Sequence, residues 1–64
     1  MHVNGEQLNI QGEISLSEFL KEHSYDAKRV AVEKNGNIVP RKDFETETLS
    51  DGDKIEIVHF VGGG

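Results

Sequence analysis

A chain of 64 residues holds one domain, and a core that small supplies only about 3–5 kcal/mol of net stability. It contains no cysteine, so neither a disulfide nor a thiolate-bound metal staples it, and it has no room for a large enclosed active site; it reads as a binding module or carrier and not as an enzyme. The 12 Asp and Glu against 7 Lys and Arg give a formal net charge of −5, which lacks the cationic footprint of a nucleic-acid binder and chiefly serves solubility.

Met1, Val3, Leu8 and Ile10 alternate at strand spacing around Asn4-Gly5, a dipeptide that favours tight turns with positive φ, and predict a hairpin closed by Gly12. A helix entry follows. Ser15 is placed to be the N-cap, Glu18 to complete a capping box, and Ile14 and Phe19 to form a hydrophobic staple. Leu16, Phe19, Leu20 and His23 share one helical face while Lys21 and Glu22 point away. The segment Ser24 to Lys28 ends the helix, with Tyr25 folding back over the core.

Val30 to Glu33 is a third strand with Val30 and Val32 inward, leading into the second Asn-Gly signal at Asn35-Gly36. Ile38-Val39 is a short strand stopped by Pro40, whose missing N–H assigns it to a sheet edge. Arg41 to Leu49 is a polar connector that buries Phe44 and Leu49. Asp51-Gly52-Asp53 is a turn, and Lys54 to Val61 is the last and most apolar strand, central in the sheet beside the first. The order β-β-α-β-β-β predicts an α+β fold of the ubiquitin-like β-grasp type, a mixed sheet of four to five strands packed on one helix. Residues 1–61 form this domain and residues 62–64 a flexible glycine tail. No segment approaches transmembrane length, and Met1 to Glu6 lacks the cationic and apolar regions of a signal peptide, which points to a soluble cytoplasmic protein that engages no membrane.

The usual catalytic constellations are missing. His2, His23 and His59 are dispersed, none with a partner at ligand spacing, so no metal site is expected. His23 reads as a favourable contact at a helix C-terminus. His59 alternates with Ile55 and Ile57, which turns it toward the sheet interior as a structural histidine. The serines lack a nucleophile elbow, and the glycines do not precede a helix as a phosphate loop requires.

The reactive group that remains is the carboxylate of Gly64. Val61-Gly62-Gly63-Gly64 directly follows a strand, and glycines, having no Cβ, run extended through a slot too narrow for other residues. A carboxylate is inert toward nucleophiles until its oxygen becomes a good leaving group, as in an acyl-adenylate formed with ATP. A frayed chain end is the competing explanation of the same glycines. Alternation in the last strand sets Ile55, Ile57 and Val61 toward the helix and Glu56, Val58 and Phe60 away from it. Val58 and Phe60 then form an exposed patch for a partner, unless the connector with Phe44 covers them.

Asn35-Gly36-x-Ile38-Val39-Pro40-Arg41, followed by Leu49-x-Asp51-Gly52-Asp53-x-Ile55-Glu56-Ile57-Val58 and a Gly-Gly end, resembles the ThiS group of sulfur-carrier proteins over essentially the whole chain. The resemblance implies a β-grasp fold and a role in making the thiazole of thiamine. It implies that an E1-like adenylating enzyme activates Gly64 with ATP and magnesium, the carrier itself binding no cofactor. A sulfur donor, a cysteine desulfurase or persulfide protein, then converts the carboxylate to a thiocarboxylate, and thiazole synthase accepts that sulfur. Gly63 and Gly62 would belong to the threaded tail, Gly62 being one glycine more than the family needs. Three relatives of this reading share the fold: a MoaD-like sulfur carrier for molybdopterin, a ubiquitin-like modifier joined through Gly64 to lysines, and a plain β-grasp interaction domain. The Val39-Pro40-Arg41 segment points away from the first.

Overall fold

The computed structural model describes residues 1–60. Val61 and the three terminal glycines, and with them the expected boundary between domain and tail, lie outside the described residues. In chain order the elements are β1 (His2–Val3), β2 (Glu6–Gln7), β3 (Ile14–Ser15), helix α1 (Leu16–Glu22), β4 (Val30–Lys34), β5 (Asn37–Ile38), a short 3-10 turn over Arg41–Asp43, β6 (Thr48–Leu49) and β7 (Lys54–His59).

Both Asn-Gly pairs turn as their chemistry predicts. Asn4 and Gly5 take φ of 52° and 84°, and Asn35 and Gly36 take 52° and 85°. These are the two left-handed positions of a type I′ turn, which asparagine tolerates and glycine occupies without strain. They close β1 on β2 and β4 on β5. The main sheet runs β2-β1-β7-β4-β5, with β7 parallel to β1 and antiparallel to β4. The last strand is therefore central beside the first, and the strand that precedes Pro40 is an edge.

The first hairpin is shorter than its alternation suggested. The strand ends at Gln7, one further pair of hydrogen bonds joins Leu8 to Met1, and Ile10 then leaves the ladder; Leu8 and Ile10 both pack, half-buried, against the core. The connector is correspondingly more ordered than a polar loop. Leu49 and Thr48 pair with Ile14 and Ser15 in a second, two-stranded sheet that the apolar pattern did not reveal. Two-residue strands carry no readable period, so only the pairing exposes them.

That small sheet sets the helix entry. Ser15 is the N-cap, and its Oγ accepts from the Glu18 N–H at 3.1 Å. The two N–H groups before it are also satisfied, Leu16 by the Glu47 carbonyl and Ser17 by the Phe44 carbonyl, each at 2.8 Å. Three otherwise orphan donors thus find acceptors, two of them on the connector. Leu16, Phe19 and Leu20 are buried, as the 3.6-residue period requires, while His23 is exposed and stacks on Phe19 with ring centroids 4.3 Å apart. The core adds Met1, Val3, Val30, Val32, Val39, Phe44, Leu49, Ile55 and Ile57.

The helix ends in a Schellman arrangement. Tyr25 N–H returns to the Leu20 carbonyl at 2.8 Å and Ser24 N–H to the Lys21 carbonyl at 3.2 Å. The residue between, Ser24, is left-handed at φ 63°, the position that helices usually give to glycine. Tyr25 packs back on the core as anticipated. A Cβ in the left-handed region costs about 1–2 kcal/mol, partly offset by the extra chain entropy of an unfolded glycine. Ser24→Gly is therefore expected to raise the thermal midpoint by about 4 °C, read by calorimetry. An unchanged or lower midpoint would show that the Ser24 side chain compensates for its backbone.

Candidate functional site

The expected reactive residue Gly64 and the tail glycines Gly62 and Gly63 lie outside the described residues. What the structure defines is the platform that leads to them. β7 is held from both sides by the side chains of the two turn asparagines. Asn4 Nδ2 donates to the Ile57 carbonyl at 3.2 Å, and its Oδ1 accepts from the Ile57 N–H at 2.7 Å. The amide of Asn4 thereby mimics one more ladder residue where the β1 chain has already turned away. On the other side Asn35 Oδ1 accepts from the Lys54 N–H at 2.9 Å, and its Nδ2 donates to Asp53 at 3.0 Å.

Further along the strand, Phe60 N–H donates to the Arg29 carbonyl at 2.9 Å, which carries the β4–β7 pairing past His59. His59 departs from expectation. It lies on the helix side, but the strand there outruns the helix, so the ring is exposed and stacks on Tyr25 at a centroid distance of 5.4 Å. Arg41 is another residue whose task was invisible in sequence. Its Nε donates to the Ala27 carbonyl at 3.0 Å and its Nη2 to the Val30 carbonyl at 3.2 Å, fixing the loop between α1 and β4.

Val58 and Phe60 emerge on the face of the sheet opposite the helix, 61% and 57% exposed. The connector does not cover them, because Phe44 is buried on the other side among the core residues. Sequence reading missed a third member, Ile38, which is 72% exposed. Its register opposite Glu33 puts it on the same open face, while its neighbour Val39 is buried. The signal was present in the alternation of Ile38 and Val39, but a two-residue edge strand gives it no length. Ala31, paired with Val58, joins β5 to β7 across this patch. Large apolar side chains gathered on one face mark an interaction surface more often than scattered ones do.

Near the start of β7, Lys34 Nζ bridges Glu47 at 2.8 Å, the Thr48 carbonyl at 2.8 Å and Asp53 at 3.9 Å. The hydrogen bond to Glu47 leads in raising the Lys34 pKa above 10.5; burial opposes it, and the charges of Asp53, Glu47 and Glu13 add to it. For Asp53 burial works upward, but hydrogen bonds from Asn35 and Ser50 and the Lys34 charge outweigh it and hold the carboxyl below 3.8.

The ThiS family sequence model matches residues 1–64. The chain belongs to the ThiS family. The crystal structure of the thiamine biosynthesis protein ThiS from Geobacter metallireducens superposes with a TM-score of 0.83 at 35% identity, covering 98% of this chain and 96% of that one. The fold is accordingly the ubiquitin-like β-grasp of this family. The sulfur carrier protein ThiS of Bacillus subtilis is 40% identical over 50 residues, 78% of this chain and 76% of that protein. A thiazole synthase of Paramagnetospirillum magneticum is 42% identical over 62 residues, which is 97% of this chain but only 19% of that protein. Among the described residues no helix is long and apolar enough to cross a membrane.

The ion network predicts a stability profile with two edges. Asp53, depressed when folded, contributes stability that is complete above the ordinary carboxyl range and is lost as pH falls through its folded value. Lys34, raised when folded, contributes stability that is complete below the ordinary lysine range and is lost as pH rises through its folded value. Thermal midpoints measured below about pH 4 should drop less steeply for Asp53→Asn than for the parent, and those above about pH 10 less steeply for Lys34→Met. Parallel curves for parent and variants would remove the network from the pH response.

Proposed function

We propose that this ThiS-family chain carries sulfur for thiamine biosynthesis as a thiocarboxylate on Gly64. The observation that supports the reading best is the family match running through residue 64, which takes in the Gly-Gly end along with the body. The carrier does no catalysis itself in this reading. An E1-like adenylating enzyme, using ATP and magnesium, would let a Gly64 carboxylate oxygen attack the α-phosphorus and release pyrophosphate. The outer sulfur of a persulfide on the donor then attacks the carbonyl carbon, and AMP leaves. A thiol cleaves the resulting S–S bond, is itself oxidised to a disulfide, and leaves one sulfur on Gly64.

The product is a soft nucleophile, ionised at neutral pH and tethered so that it does not diffuse away as sulfide does. The proposed acceptor is thiazole synthase. Its support is the stretch 42% identical to this chain inside a protein of that name, of which the stretch is 19%. A carrier and an acceptor that work together gain effective concentration by sharing one chain. The body supplies recognition through Val58, Phe60 and Ile38, an apolar surface that partners of a mobile carrier engage in turn.

Intact mass spectrometry tests the chemistry. After incubation with ATP, the adenylating enzyme and a persulfide donor, one oxygen is expected to be replaced by sulfur, mapped to Gly64. A chain truncated after Gly63 is expected to remain unmodified. Transfer of activated Gly64 to lysine amines, with no sulfur-bearing product, would replace the carrier reading by that of a protein modifier. Phe60→Asp is expected to weaken binding to the adenylating enzyme while leaving the thermal midpoint within about 2 °C, because an exposed side chain contributes little to folding. A collapse of the fold would place Phe60 in the core.

A further inference from the structure

The open face of the sheet is apolar at one end and acidic next to it. Ile38, Ala31, Val58 and Phe60 make the apolar end. One step along the strands, Glu33 and Glu56 stand directly opposite each other across β4 and β7. Directly opposed side chains in an antiparallel pair have Cβ atoms about 4.5–5.5 Å apart, and like charges there destabilise the sheet. Ile38 is the other cross-strand neighbour of Glu33, so the carboxylates and the apolar patch form one continuous surface.

The cations of this face do not neutralise the pair. Lys54 reaches Glu56 at 3.8 Å with its own side chain 70% exposed, a weak and screened contact. Arg29, beside Phe60, is turned to Asp26 at 3.5 Å. His2 is paired with Lys54 and Gln7 at the far edge. Glu33 makes no ion pair among the described residues. A domain with a margin of a few kcal/mol thus keeps two like charges opposed at the centre of its sheet, where a neutral pair is more stable.

Resting on the docking role given above to this face, we propose that thiazole synthase meets it with apolar side chains over Ile38, Val58 and Phe60 and with an arginine or lysine seated between Glu33 and Glu56. The planar fork of a guanidinium fits two neighbouring carboxylates at once, and the contact gains strength as the adjoining apolar patch excludes water. Relief of the like-charge pair adds to the attraction, so the feature that weakens the free carrier favours the complex. The chain's net charge of −5 favours approach of such a basic surface.

Calorimetric titration of the cognate thiazole synthase with the full chain and with Glu33→Gln, Glu56→Gln and the double variant separates the two effects. The variants are expected to melt a few degrees higher than the parent. They are nevertheless expected to bind roughly tenfold more weakly, with a shallower dependence on salt. An unchanged Kd in the double variant would overturn the seated cation while leaving the carrier function standing. A lower midpoint would also overturn it, since the pair would then not be strained. Failure of the parent chain to bind thiazole synthase would remove the docking role itself, and the inference with it.

Discussion

Everything in this fold depends on the pairing of its last strand with its first. β7 is the central strand of the five, parallel to β1 through His2 and Asn4 N–H groups and antiparallel to β4 over five residue pairs. The two hairpins close locally and demand little chain entropy, whereas the β1–β7 contact joins opposite ends of the chain and closes the largest loop. Its return is the core, since Ile55 and Ile57 enter between the sheet and α1 only when β7 takes the central place. The segment after Phe60 therefore starts from a strand held on two sides.

The turn asparagines show how a short sequence uses one residue twice. At Asn4 and Asn35 the backbone takes the left-handed conformation of a tight turn, and the side chain then reaches β7. Aspartate also tolerates that backbone, but it cannot donate to the Ile57 carbonyl as Asn4 does, and at position 35 it would face the Asp53 carboxylate. The choice of asparagine is thus made by the neighbouring strand as much as by the turn.

What was legible in the sequence follows the range of the interactions involved. The Asn-Gly turns, the Ser15 cap, the Leu16-Phe19-Leu20 face and the edge set by Pro40 are local signals, and each matches the structure. The exposure of Val58 and Phe60 was legible too, since strand alternation decides it once the helix side is known. His59 was assigned to the interior because alternation reports a side of the sheet and not where the covering layer stops. The β3–β6 pair, the Arg41 contacts with Ala27 and Val30, and the asparagine grips are long-range polar contacts between segments too short to carry a period. Ile38 fell between these cases, a patch residue on a two-residue strand whose register only the β4 pairing fixes.

The division of labour between the two faces of the sheet follows from the size of the domain. A single Leu or Ile truncated to Ala in a core costs about 2–5 kcal/mol, comparable with the whole stability expected of so short a chain. The helix side, with Leu16, Leu20, Val30 and Ile55 at or near zero exposure, therefore has little room for change. Among the described residues none on the open side is fully buried, so they are largely free of that constraint and open to selection by whatever docks there. That is where three large apolar side chains and an opposed pair of carboxylates are found. Such a surface is unfavourable in an isolated domain and favourable only against a complementary one, so its composition is better explained by partners than by folding.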